Sequence, residues 1–171
     1  MDYLEPHDVI HLNAAEGWLG LGNHIEANEE LEKITASMRS HPDVLEVRYE
    51  IFAKAKRWET CVDIASAIVK QEPENSFGWI RRSFALHELK RTKEALENLL
   101  PAVEYFPDEI TIRYNLACYE CVLGNMRQAK LRLAEAFNIA QNQKCFDEYR
   151  LQALDDRDLD SLWGMLDEVE L

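Results

Sequence analysis

The chain repeats itself every 34 residues. Set in rows beginning at Asp8, Pro42, Ser76 and Ile110, it runs four periods in register with no insertion. A period of that length restricts the chain to a stack of like units, because each unit leaves an apolar side that only a neighbour can bury. Row position 8 reads Ala15, Tyr49, Ser83 and Ala117, and position 20 reads Ala27, Cys61, Ala95 and Ala129. Position 24 reads Leu31, Ala65, Leu99 and Leu133, and position 27 reads Ile34, Ile68, Ala102 and Ala136.

Each row holds two apolar-periodic segments of about 14 residues, the pattern of amphipathic helices. The breaks between them are Gly22-Asn23, Lys56-Arg57, Lys90-Arg91 and Gly124-Asn125. Breaks this short make the two helices antiparallel neighbours. Small residues at positions 8 and 20 let the pair approach closely, and aliphatic residues at position 24 fill the space beside them. Row two departs twice, with Tyr49 at position 8 and Ala65 at position 24, which reads as an exchange of volume inside one hairpin. Pro73 and Pro107 at position 32 stop the second helix.

Residues 8–143 therefore resemble four tandem tetratricopeptide repeats, at 8–41, 42–75, 76–109 and 110–143. Trp79, Leu116-Ala117, Trp18, Phe52, Gly22, Gly124, Ala95 and Ala129 fit the family's preferred positions. Arg48, Arg82, His11 and Glu120 do not. The resemblance implies an all-α protein, an α-solenoid. It would form a right-handed superhelix of four hairpins closed by a C-terminal pair of capping helices. Ten helices and no strand are expected.

Residues 1–7 form a short extension, and after Gln141 the period ends. In 144–171 there are two amphipathic segments, Cys145–Leu154 and Leu159–Val169, split by Asp155-Asp156-Arg157-Asp158. Leu159, Leu162, Trp163 and Leu166 share one face of the second. The terminal unit of such a stack needs a cap with a polar outer surface, and the acids of this tail supply one. The string LDDRDLDSLW resembles tails that follow the last repeat in many bacterial tetratricopeptide proteins.

Charge narrows the partner. The net charge is −13, which disfavours nucleic acid and anionic membranes, since both require a basic surface. It is carried unevenly, at −8 in residues 1–75, +1 in 76–143 and −6 in 144–171. The start, MDYLEPHDVIHL, lacks the basic and apolar regions of a signal peptide. A cytoplasmic protein with reduced thiols is expected. Cys118-x-x-Cys121 lacks the second ligand pair that zinc requires, and the five histidines show no ligand spacing. No metal, cofactor or catalytic residue is expected, and the chain is not read as an enzyme.

The family lines its concave groove with the first helix of each hairpin. Carried over by position, the groove would take Glu16, Glu46, Glu50, Phe77, Ile80, Arg81, Phe84, Tyr114 and Asn115. One half is acidic and the other apolar, with Arg81 and Asn115 set among Phe77, Ile80, Phe84 and Tyr114. Such a face suits a segment with an apolar anchor flanked by Lys or Arg. The alternative is that the aromatics pack between hairpins. The clamp by which some arrays grip chaperone tails would require Lys, Asn, Asn and two bases, in that order, at Leu12, Glu16, Val47, Phe77 and Arg81, or at Glu46, Glu50, Arg81, Thr111 and Asn115. Neither set supplies it. The reading is an adaptor or scaffold, a monomer or weak homodimer, that holds a peptide in the groove. The alternatives are a small acidic chaperone for a secreted or assembling client, and a self-associating structural protein.

Overall fold

A computed structural model of the protein describes residues 3–166, with side chains through residue 164. Helices α1 (Pro6–Gly20) and α2 (His24–Lys33) come from row one, and a 3-10 turn at Ala36–Met38 leads out of it. Row two gives α3 (Pro42–Lys54) and α4 (Trp58–Gln71), and row three gives α5 (Ser76–Glu88), α6 (Thr92–Leu99) and α7 (Ala102–Tyr105). Row four gives α8 (Ile110–Val122) and α9 (Met126–Asn142). The tail gives α10 (Phe146–Asp155), a 3-10 segment at Arg157–Leu162, and α11 (Trp163–Leu166). Among the described residues there is no strand. Val169 lies outside the described residues.

The sequence columns are the core. All sixteen residues at positions 8, 20, 24 and 27 are at most 4% exposed. Tyr49 and Ala65 fall in one apolar cluster with Leu45, Cys61, Ile64 and Ile68. The large side chain and the small one thus share the same space, as the exchange of volume requires. Gly78 lets α5 approach α4: a Cβ there would stand 2.9 Å from the Val69 side chain and 3.0 Å from its backbone nitrogen.

The turns share one geometry. At position 15, Gly22, Lys56, Lys90 and Gly124 have φ of +79°, +54°, +63° and +80°. In each row the N–H of this residue donates three positions back and the next N–H five positions back, at 2.8–3.0 Å. That is the Schellman closure, which satisfies the last carbonyls of the first helix. Lys144, at φ +62°, ends α9 in the same way.

Two features differ from the periodic pattern. The second helix of row three is interrupted between α6 and α7, because Pro101 has no N–H to continue the ladder. The second segment of the tail opens as 3-10, through Leu162, before the short α11. There the Asp156 carboxylate accepts from the Asp158 N–H at 3.0 Å, a local bond that competes with α-helical closure.

Two compact units divide the chain, Met1–Ala85 and Leu86–Leu171. In the first, α1 packs on α2, and α3 on α2 and α4. In the second, α8 packs on α6 and α9, α10 on α9, and the 3-10 segment on α8.

Candidate functional site

In the first unit, the first helices α3 and α5 carry the expected face. Phe77, Ile80, Arg81 and Phe84 are spaced at i, i+3, i+4 and i+7, so they share one side of α5. The Arg81 guanidinium lies 5.2 Å from the Phe77 ring and 5.8 Å from the Tyr49 ring. One of its nitrogens stands 2.8 Å from Glu50 of α3. The Tyr49 hydroxyl donates to the Arg81 carbonyl at 2.9 Å and holds that turn of α5 in place. Both members of the ion pair are more than a third exposed. A pair between residues this exposed contributes about 0.2–1 kcal/mol, although the Glu50 oxygen that faces Arg81 is itself buried.

The aromatics divide between the two readings of the sequence. Phe77 packs edge-on to Tyr49, at 5.8 Å between ring centres, and belongs largely to the core. Phe84 packs its edge on Trp58 at 5.7 Å yet remains 37% exposed. Ile80 is half-buried. On α3, Glu46 accepts from Asn75 at 2.9 Å. Burial raises its carboxyl above the usual value, against that hydrogen bond, and the neighbouring Asp43 and Glu72 add to the rise. Glu16, on α1, is exposed.

In the second unit the corresponding face is covered. Tyr114 is 2% exposed, and its hydroxyl donates to Asp156 of the tail at 3.0 Å. The Cys118 thiol points to the same carboxylate at 3.6 Å. Asp158 stands 2.9 Å from His87 Nε2, while Nδ1 of that ring meets Thr92 Oγ1 at 3.0 Å. Leu159 and Leu162 are buried, and the Trp163 indole donates to the Ala153 carbonyl at 3.0 Å. The tail's charge run is therefore not simply solvated, because Asp156 and Asp158 fasten it to α8 and to the end of α5. Tyr114 does not meet solvent, as a groove residue would; Asn115 is half-buried. Burial and the nearby carboxylates push the Tyr114 phenol and the Cys118 and Cys121 thiols above their usual values.

The sequence pattern exposes the tail's aspartates but assigns them no partners. A spacing rule carries no information on a contact made 42 residues away. Among the described residues no group of three or more His, Cys, Asp or Glu could hold a metal ion. No helix among them is long and apolar enough to cross a membrane.

The comparisons with known proteins bear on the fold. No family model matches the chain. The peroxisomal targeting signal receptor of Candida glabrata is 23% identical over 135 residues, a match that takes in 79% of this chain and 21% of the receptor. The chain thus spans about a fifth of that relative's length. The solved structure of the MamA RS-1 ArsTM double mutant superposes with a TM-score of 0.71 at 15% identity, covering 81% of this chain and 79% of that one. MamA MSR-1 C2 gives 0.68 at 18% identity, covering 80% and 78%. Four buried columns in register and these likenesses show the fold, in which the chain resembles tetratricopeptide-repeat proteins. Its fold is all-α and of the α-solenoid class.

Proposed function

We propose that the chain is a tetratricopeptide-repeat protein and an adaptor that holds a segment of another protein on the α3–α5 face of its first unit. The observation that carries the reading is the half-exposed Arg81–Glu50 pair, seated on the Phe77 ring one turn from the exposed Phe84. Arg81 offers a fork of donors to a peptide carbonyl or carboxylate. Phe84 and Ile80 offer an apolar seat, and Glu46 and Glu50 receive a Lys or Arg. The favoured segment has an aliphatic or aromatic anchor with a basic residue beside it. One relative is by its name a receptor for a targeting signal, which supports a segment as the ligand. In the second unit the tail already lies on the equivalent helix, which leaves α3 and α5 as the open first-helix face.

A phage-displayed library of random peptides, selected on the immobilised chain, tests this. Enriched peptides should pair an apolar residue with Lys or Arg. Their binding should fall at least about fivefold in Arg81→Glu and in Phe84→Ser, since losing a central contact costs more than about 1 kcal/mol. Selected peptides that bind both variants as they bind the parent chain would place the site elsewhere.

A further inference from the structure

Helix α1 is apolar on two opposite sides. Asp8, Leu12 and Ala15 turn inward and are buried. On the opposite side stand Ile10, Gly17 and Leu21, the residue that caps the helix, with Ala14 half-buried among them, at spacings of four, three and four that place all four in one narrow stripe. Ile10 is 65% exposed and Leu21 is 78% exposed. Tyr3, a heptad before Ile10, is 92% exposed, and Trp18 borders the stripe at 36%. A solvated helix face is normally polar, and a connected apolar stripe of this kind marks an interface.

Two observations decide what covers it. The first is symmetry. Read in either direction, the stripe runs large, small, small, large, and its midpoint falls between Ala14 and Gly17. Two copies laid antiparallel about a two-fold axis set Ile10 of each against Leu21 of the other, with Ala14 and Gly17 at the crossing. A two-fold interface must be self-complementary in this way. At the crossing the backbones can approach closely: a Cβ on Gly17 would meet nothing within 4 Å. The second observation is charge. Two chains of net charge −13 repel, so their seam must be free of carboxylates. The stripe has none. Of the two acids within α1, Asp8 is buried and Glu16 lies off the stripe.

We infer that a second copy of this chain packs antiparallel along the outward face of α1, Ile10 against Leu21, and makes the protein a two-fold dimer. The surface is separate from the α3–α5 face, and the dimer holds two such faces.

Sedimentation equilibrium on the full chain tests this. The parent chain should be a dimer. Ile10→Lys alone and Leu21→Glu alone should each weaken it more than about tenfold, as buried unpaired charges do. The combination of both changes in one chain puts Lys opposite Glu twice and should restore the dimer at low salt but not at high salt. Gly17→Leu should leave the monomer folded by circular dichroism and block the close approach. Arg81→Glu should leave the dimer unchanged. A parent chain that is monomeric at about 100 µM would overturn the proposal. So would a combined variant no better than the single ones, which would mean that Ile10 and Leu21 do not face each other across a two-fold axis.

Discussion

The hydroxyl of Tyr114 donates to the carboxylate of Asp156, 3.0 Å away and 42 residues later in the chain. This bond fixes the tail on α8, with Leu159 and Leu162 buried beside it. It also takes a side chain that the repeat position would turn toward a ligand and commits it to the chain's own end.

Removing the acceptor should therefore destabilise the second unit. In Asp156→Ala the buried phenol and the Cys118 thiol both lose a partner, and an unsatisfied buried donor costs about 1–3 kcal/mol. Thermal melting should show a lower Tm, with Tyr114→Phe less severe, because it removes the donor along with its requirement. An Asp156→Ala chain as stable as the parent would mean that the strap contributes nothing to folding.

The hairpins were legible because they rest on local rules. The columns from Ala15 to Ala136 are close-packed wherever the period puts them, and the left-handed position 15 coincides with the breaks at Gly22, Lys56, Lys90 and Gly124. The burial of Tyr114 was not legible. Its repeat position turns it inward, but the period stops at Gln141, so nothing in the pattern says where Asp156 goes. Phe77 and Phe84 share one helix face and still differ, since Phe77 packs on the buried Tyr49 and Phe84 on the half-buried Trp58. Pro101 was legible in principle, as a proline inside an apolar-periodic segment, and it does interrupt the helix.

Lys56 and Lys90 occupy a left-handed conformation that rows one and four give to glycine. A side chain there costs about 1 kcal/mol relative to glycine. Lys56→Gly and Lys90→Gly should each stabilise the chain by roughly that amount, read as a higher midpoint in urea with an unchanged slope. A loss of stability would mean that the lysine side chains contribute more at these turns than their backbone strain costs.

Asp8 ties the start of α1 to the far end of the first hairpin. Its carboxylate accepts from the Thr35 N–H at 2.8 Å and is buried. That hydrogen bond holds its carboxyl below the usual 3.8, with the nearby histidines adding to the effect. A lowered folded value means that the stabilisation is present above the unfolded value and is lost as pH falls through the folded one. Asp8→Asn should thus lower the Tm at neutral pH, and the gap to the parent chain should close in strong acid. A gap independent of pH would assign the effect to packing.

Glu46 works in the opposite sense. Burial raises its carboxyl above 4.5, so the folded chain keeps this proton longer than the unfolded chain does. Stability therefore falls as pH rises from the unfolded value through the folded one. Above that window the ionised group is under-solvated, and Glu46→Gln should raise the Tm at pH 7. The same desolvated charge draws in a Lys or Arg from a ligand. A selected basic peptide should then bind the Glu46→Gln chain more weakly than the parent, even though the variant is the more stable protein. With the parent chain, binding should release a proton within the window, so affinity should increase with pH there. Isothermal titration in two buffers of different ionisation enthalpy reads that proton directly. If the variant gains stability and binds the basic peptide unchanged, Glu46 lies outside the ligand's reach, and the acidic side of the α3–α5 face belongs to folding alone.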